Sequence, residues 1–196
     1  YLQPDVDWHN RVLFAVEEMP RRPLLIADAG FMYAAKMSGS AAEYDLFTPD
    51  AGELAFLADE AAPHPFYTRG FILHDENKVP DLIQRAYSHN NAARHLLVKG
   101  EIDRLADRSG ILESVEGPSA DAMEAMGGTG DTLTGLAAAL IGTNGLSLPE
   151  ATIAAARINR EAGALANLTP ASQVADLIRE LPRAMEKVLG KSSEIY

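Results

Sequence analysis

The sequence contains no cysteine, which excludes disulfide bonds and thiolate ligands for metal ions. The absence fits a reducing compartment, and we expect a cytoplasmic location. The sequence also has no apolar run of the roughly 18 residues that a membrane-spanning helix needs. We therefore expect no membrane partner.

Basic residues are few. The sequence has 17 Lys and Arg residues and 28 Asp and Glu residues, so the formal net charge is −11. This charge opposes attraction to phosphate backbones, so we expect no nucleic-acid partner. A small anion such as a nucleotide is still compatible, because backbone amides and a local cation can outweigh surface charge that is screened over about 10 Å.

Length and composition favour one domain. The chain has 196 residues, of which 47% are hydrophobic, and we expect a single domain over residues 1–196. Short apolar runs alternate with helical periodicity, which predicts an α/β fold. Helices are predicted in WHNRVLFAVEEM and at residues 30–37, 52–58, 76–89, 131–141, 149–166 and 172–189, the last with a break before Pro182. Residues 107–110 predict a hairpin turn and residues 63–70 a loop.

Three apolar runs are typical of buried parallel strands: PLLIADA (23–29), YDLFTP (44–49) and HLLVKG (95–100). Polar or turn residues stand where these runs end, namely Asp28, Asp50, and Lys99 with Gly100. In an open α/β sheet the ligand crevice lies beyond the carboxyl ends of the strands. We therefore expect the chemistry to collect at these residues.

A glycine-rich stretch, MGGTGDTLTGLAAALIG, directly precedes an apolar helical pattern. Gly127, Gly128 and Gly130 allow positive φ and leave the backbone amides open to a ligand. If Asp131 opens the helix, its first amides are unpaired and form a phosphate site. Asp131 would repel that phosphate, so its best chemical use is to accept a proton from an attacking hydroxyl.

A second interpretation of this stretch stays open, in which the glycines form a simple loop and Asp131 caps a core helix. The spacing matches neither the phosphate loop with Lys-Ser/Thr nor the dinucleotide fingerprint Gly-x-Gly-x-x-Gly. A nucleotide would therefore have to be bound by a different motif.

Five segments together resemble one family. GGTGDTLTGLAAAL, with LLVKGEIDRLADRSG upstream and LTPASQVADLIRELPRAM downstream, is similar to the ATP- or ADP-dependent NAD(P)H-hydrate dehydratases of the ribokinase-like superfamily. PLLIADAG resembles the family strand that ends in Asp-Ala-Asp-Ala, and LFTPDAGELAFL resembles the family segment Thr-Pro-His-Pro-Gly-Glu. The segments stand in the family order and cover nearly the whole chain.

The resemblance implies a ribokinase-like, carbohydrate-kinase-like three-layer α/β/α sandwich with a mostly parallel central sheet. It implies that Asp131 is the general base and that the amides of Gly128, Thr129 and Gly130 form an anion hole. The implied nucleotide, ATP or ADP with Mg²⁺, lies between the end of the Lys99-Gly100 strand and the helix of Asp131.

The resemblance gives Glu53 the role of orienting the water shell of the magnesium ion. From the residues alone, Glu53 could equally be a carboxylate that the helix dipole favours. Lys99 could hold phosphate as a point charge, or be a solvated lysine at a strand end.

The resemblance places Asp28, Asp50 and Gly52 on the substrate side, where the sequence also departs from the family. The family His-Pro-Gly-Glu reads Asp-Ala-Gly-Glu here, so Asp50 adds a negative charge that disfavours a phosphate-bearing ligand. Gly30 replaces the second aspartate of the strand-end pair, and Asn159 stands where the family commonly carries histidine.

The implied reaction is the repair of hydrated NAD(P)H, a lyase reaction in which the ring hydroxyl is phosphorylated and phosphate is then eliminated. Two alternatives stay open. The first is a kinase for a sugar or vitamin-precursor alcohol, and the second is a nucleotide-binding relative without catalysis. The family resemblance also implies self-association into a homo-oligomer.

A full family domain has further strands and glycine-rich turns before the helix that WHNRVLFAVEEM represents. The sequence in hand is therefore expected to lack the N-terminal part of the domain, either as a fragment or as a short relative. The resemblance does not decide between ATP and ADP.

Overall fold

A computed structural model describes residues 5–65, 76–143 and 145–190. Within these ranges the α-helices are α1 (Val6–Glu17), α2 (Ala29–Met37), α3 (Ala51–Ala58), α4 (Val79–Ser88), α5 (Thr129–Thr143), α6 (Leu148–Leu165) and α7 (Val174–Leu189), and the strands are β1 (Ile26–Ala27), β2 (Leu46–Phe47), β3 (His95–Val98), β4 (Asp103–Asp107) and β5 (Gly110–Val115). Of the loop predicted at residues 63–70, residues 66–70 lie outside the described ranges.

The five strands form one mixed sheet in the order β1-β2-β3-β4-β5. The first three strands are parallel, with Ile26 opposite Leu46 and Phe47 opposite Leu96. Strand β4 is antiparallel to β3, and only two residues connect it to its neighbour β5. The predicted α/β class and the predicted hairpin are therefore confirmed, although β1 and β2 are shorter than the apolar runs that contain them.

The chain forms two compact units. The first unit comprises Tyr1–Lys99 and Arg104–Leu112. In its core, Phe47 of β2 and Leu96 of β3 are fully buried, together with Leu54 and Phe56 of α3. These apolar strands and helices hold the carboxyl ends of β1, β2 and β3 in fixed positions.

The second unit comprises Gly100–Asp103 and Glu113–Tyr196. Its helices α5, α6 and α7 pack against one another. Leu140 of α5, Ile158 of α6 and Leu177 of α7 are buried. The second unit therefore has a helical core of its own, and the glycine-rich stretch lies where α5 begins.

Helix α7 contradicts the predicted break before Pro182. The helix continues from Val174 to Leu189 with Pro182 inside it. Leu177 and Ala184 are buried on either side of the proline, so packing of the apolar face outweighs the backbone hydrogen bond that proline cannot make.

Replacing the exposed Pro182 with alanine is expected to raise the free energy of unfolding by about 2 kcal/mol, because alanine restores the missing N–H donor and removes the steric clash. Urea denaturation measures this change. Glu186→Ala, at another exposed position of α7, serves as the control and should change stability by less than about 0.5 kcal/mol. An unchanged or lower stability of Pro182→Ala would contradict the cost assigned to the proline.

None of the helices in the described part of the chain has the length and apolar character needed to cross a bilayer.

Candidate functional site

The carboxyl ends of three parallel strands lie at one edge of the sheet. Asp28 follows β1, Asp50 stands three residues beyond β2, and Lys99 follows β3. The Lys99 Nζ donates a hydrogen bond to Asp28 Oδ1 at 2.9 Å. The backbone N–H of Lys99 donates to the carbonyl of Pro49 at 2.8 Å, next to a parallel bridge between Asp50 and Lys99. The structure therefore brings these three polar residues together.

Glu53 completes this strand-end cluster, which consists of Asp28, Tyr33, Asp50, Glu53 and Lys99. The Tyr33 hydroxyl donates to Glu53 Oε1 at 2.9 Å, and Lys99 Nζ lies 3.9 Å from Glu53 Oε2. Glu53 is 8% exposed. The cluster therefore holds three carboxylates around one lysine, with Glu53 buried and Asp50 exposed at its edge.

Asp50 caps helix α3. Its Oδ1 accepts a hydrogen bond from the backbone N–H of Glu53 at 2.7 Å, and its own N–H donates to Glu53 Oε2 at 2.8 Å. This reciprocal pair is a capping box, and Gly52 is buried within the first turn that it stabilises. The sequence analysis placed Asp50 on the substrate side and missed its capping role, although the spacing Asp-x-x-Glu is the signal for it.

Burial dominates the electrostatics of the cluster. The pKa of Glu53 is raised to about 7, chiefly by burial and further by the carboxylates of Asp50 and Asp28, which together outweigh the lowering effect of the positive charge of Lys99. Burial also lowers the pKa of Lys99, but the carboxylates of Glu53 and Asp28 outweigh that effect and leave it above its ordinary value. Glu53 therefore changes its charge near neutral pH while Lys99 stays protonated.

The raised pKa of Glu53 predicts a pH-dependent stability. Between pH 4.5, the ordinary pKa of glutamate, and about 7, the folded state keeps the proton that the unfolded state has lost. The free energy of unfolding therefore falls as the pH rises through this window, by up to about 1.4 kcal/mol per pH unit from this group. Glu53→Gln should remove that slope in urea denaturation, whereas Glu124→Gln, at an exposed position, should keep it. An identical slope in Glu53→Gln and wild type would show that Glu53 does not titrate there.

The side chains of the strand-end cluster limit how a metal ion could bind there. In residues 5–65, 76–143 and 145–190, no group of three or more His, Cys, Asp or Glu side chains is arranged to hold a metal ion. Both oxygens of Glu53 already accept hydrogen bonds, from Tyr33 and from the Asp50 backbone. Glu53 can therefore meet a magnesium ion through the water that this ion retains, without losing these bonds.

The glycine-rich stretch lies in the second unit, at the start of α5. Gly128 adopts a φ of +100°, and its carbonyl accepts a hydrogen bond from Thr132 N at 3.0 Å. Gly128 is therefore the N-cap, and Thr129 is the first helical residue. The expectation that Asp131 opens the helix is wrong by two residues, because the positive φ that only glycine adopts easily places the turn at Gly128.

This start of α5 leaves four backbone amides without intrahelical acceptors, those of residues 128–131. The Asp131 side chain is exposed, and among the residues that the structure describes no side chain or backbone group pairs with its carboxylate. The helix dipole adds positive potential at the same place. The arrangement offers donors for an anion beside a carboxylate that is available to accept a proton.

Side chains fix the direction of these amides. The Thr129 hydroxyl lies within hydrogen-bond distance of the carbonyls of Met123 (3.0 Å) and Met126 (3.1 Å), and donates to them. The Thr132 hydroxyl lies 2.7 Å from the carbonyl of Thr129 and 2.8 Å from Asn159 Oδ1. Asn159 Nδ2 donates to the same Thr129 carbonyl at 3.3 Å. The first turn of α5 is thus bonded on both sides, and the sequence analysis had not identified Thr132.

Gly100 belongs to the second unit, whereas its neighbour Lys99 belongs to the first. The N–H of Gly100 donates to Asp103 Oδ1 at 3.2 Å, and its carbonyl accepts from Arg160 Nη2 at 2.8 Å. Arg160 also forms a buried ion pair, with Nε 2.7 Å from Asp103 Oδ2. The structure therefore places Gly100 in one unit with the glycine-rich stretch, through an arginine that sequence reasoning did not identify.

Two comparisons relate this chain to known proteins. A family model described as NAD(P)H-hydrate dehydratase matches residues 4–183. The uncharacterized protein MJ1337 of Methanocaldococcus jannaschii is 43% identical over 190 residues, which cover 96% of this chain and 78% of that protein.

Proposed function

Because the chain belongs to the NAD(P)H-hydrate dehydratase family, we propose that it dehydrates hydrated NAD(P)H at the expense of ATP or ADP. One observation carries the proposal: the first turn of α5 presents amides without intrahelical acceptors beside the exposed carboxylate of Asp131, which pairs with no residue that the structure describes. Anion binding and proton acceptance are the two functions that phosphoryl transfer to an alcohol requires.

The amides of Thr129 and Gly130, with that of Gly128 at the N-cap, bind the phosphoryl oxygens. Their hydrogen bonds to an anion are charge-assisted, and the helix dipole favours the same charge. The bonds from Thr132 and Asn159 keep the first turn in place, so the donors need not reorganise as charge develops. Gly130 leaves the approach to these donors free of a side chain.

Asp131 accepts the proton of the ring hydroxyl as the hydroxyl oxygen attacks phosphorus. When bound, the nucleotide supplies the phosphoryl group that makes this oxygen a leaving group. The carbon–oxygen bond then breaks with release of phosphate, a proton leaves the neighbouring carbon, and the ring double bond forms again. The net reaction converts hydrated NAD(P)H and ATP into NAD(P)H, ADP, phosphate and a proton, which Asp131 releases to water; with ADP as donor the nucleotide product is AMP.

In the strand-end cluster we assign Glu53 to the water shell of Mg²⁺ and Lys99 to phosphate. The engaged oxygens of Glu53 support a contact through water. Lys99 keeps its charge and forms an ion pair with Asp28. A bound phosphate would replace Asp28 as the partner of Lys99. Asp28, Asp50 and Gly52 stay assigned to the substrate side.

The charge of the strand-end cluster supports a second candidate, a kinase for an uncharged small-molecule alcohol. Asp28, Asp50 and Glu53 surround the single cation Lys99, and this excess of carboxylates disfavours a phosphate-bearing substrate. The kinase reaction ends after phosphoryl transfer and has no elimination step.

One assay distinguishes these functions. The protein is incubated with ATP or ADP, Mg²⁺ and hydrated NADH, while NADH absorbance and phosphate are followed. Nucleotide-dependent recovery of NADH supports the dehydratase. Nucleotide turnover that requires an added alcohol, with no recovery of NADH, would replace it with the kinase. Saturable nucleotide binding without turnover would overturn both in favour of a binding protein.

A further inference from the structure

Two consecutive residues of helix α6 contact the two glycine segments of the second unit. These segments are the turn that begins at Gly100 and the first turn of α5. Asn159 bonds to the first turn of α5 through Thr129 and Thr132. Arg160 bonds to the turn that begins at Gly100, through the Gly100 and Glu101 carbonyls (2.8 and 2.9 Å). The two segments are far apart in sequence, and α6 is the element that both contact.

Both side chains are buried and use their polar groups in these contacts. Asn159 is 4% exposed and Arg160 is 7% exposed. Each directs its polar atoms to the backbone or side chains of the glycine segments rather than to α6 itself. A buried asparagine or arginine is tolerated only where such bonds are made, so these residues fix the position of α6 relative to each segment.

A third contact brings α6 close to the loop that precedes α5. A side chain at Gly163, one turn beyond Asn159, would lie 2.3 Å from Met123 Sδ. Met123 supplies one of the carbonyls that accept the Thr129 hydroxyl. The close approach of α6 at Gly163 therefore supports the loop that leads into α5.

We infer that Asn159 and Arg160 are positioning residues that set the separation between the Gly100 turn and the start of α5, and so the place of a bound nucleotide relative to Asp131. The inference rests on the proposed function, because it takes the nucleotide to lie between the Gly100 turn and the α5 amides that are proposed to bind its phosphate. A displacement of about 1 Å at such a site can cost two orders of magnitude in rate. The two residues act through the backbone that they hold and need not touch the nucleotide.

The two contacts predict different kinetic effects. Asn159→Leu removes both bonds to the first turn of α5, so kcat should fall at least tenfold. Arg160→Lys keeps a cation beside Asp103 but cannot hold two carbonyls at once, so the KM for the nucleotide should rise about tenfold with a smaller change in kcat. Arg157→Ala is the matched control, because Arg157 lies on the same helix in an exposed ion pair with Glu113; both constants should stay within about twofold of wild type.

Where a buried variant fails to fold, Thr132→Val removes the bond between Thr132 and Asn159 Oδ1, and Asp103→Asn weakens the ion pair that orients Arg160. Amide hydrogen exchange gives a readout that does not depend on activity. The Thr132 amide should exchange faster in Asn159→Leu and the Gly100 amide faster in Arg160→Lys, whereas neither should change in Arg157→Ala.

Wild-type values of kcat, KM and exchange in folded variants would overturn the positioning role and leave the dehydratase proposal intact. An inactive wild type would overturn the dehydratase proposal, and the exchange rates of the two amides would then decide the positioning role alone. Faster exchange at the named amides supports that role, and unchanged exchange contradicts it.

Discussion

Replacing Asp131 with asparagine is expected to lower the rate of nucleotide-dependent NADH recovery by about 10²–10⁴-fold, because the amide cannot accept the hydroxyl proton. Asp131 is exposed, and no described residue pairs with its carboxylate. The free energy of unfolding should therefore change by less than about 0.5 kcal/mol. The rate is measured from NADH absorbance, at nucleotide concentrations that saturate both proteins.

The matched control for Asp131→Asn is Glu124→Gln, which removes one negative charge from another exposed position of the second unit. This variant should keep the wild-type rate. Equal rates for Asp131→Asn and wild type would leave Asp131 as a simple member of the first helical turn, without a chemical role. A rate lost together with folded structure would likewise count against the assignment.

Replacing Gly128 with alanine is expected to destabilise the protein by about 1–3 kcal/mol and to weaken nucleotide binding. The φ of +100° strains any residue with a side chain. The added Cβ would also lie 3.1 Å from Val174 Cγ2, which is closer than an ordinary contact. Because Gly128 caps α5, a shift at this position turns the first amides of the helix away from their present direction.

Urea denaturation of Gly128→Ala is compared with that of Gly127→Ala. Gly127 has no positive φ, and a Cβ there would meet no atom within 4 Å. Gly127→Ala should therefore cost much less. Adding Val174→Ala to Gly128→Ala removes the contacts with the two Val174 methyl groups (3.1 and 3.4 Å) and leaves the contact with Cβ (3.3 Å) and the backbone strain, so it measures the share of the cost that the methyl groups cause. Equal stabilities for the two glycine variants would contradict the special conformation of Gly128.

The local pattern of apolar and polar residues was sufficient to predict where the parallel strands end and which class of fold they form. The apolar runs before Asp28, Asp50 and Lys99 are continuous and short, and parallel strands place their carboxyl ends at one edge. The start of α5 was predicted two residues too late because Asp131 resembles an N-cap. The deciding signal was the conformation of Gly128, which the sequence permits but does not specify.

Contacts between distant residues could not be predicted. Lys99 and Asp28 are 71 residues apart, and Arg160 and Asp103 are 57 apart. Neither separation follows a helical or strand period, so only the assembled fold shows the pair. The predicted helix break before Pro182 was wrong for the opposite reason. Proline does remove a backbone hydrogen bond, as the local rule states, but the packing of Leu177 and Ala184 outweighs that loss.

Phosphate release and NADH recovery, measured together in one reaction, test dehydration by phosphoryl transfer most directly. The protein is supplied with hydrated NADH, Mg²⁺ and ATP or ADP, and a parallel reaction contains no nucleotide. We predict one phosphate for each NADH recovered, with both products absent from the reaction without nucleotide and greatly reduced with Asp131→Asn. Phosphate released without recovery of NADH, or NADH recovered without nucleotide, would contradict the proposed reaction.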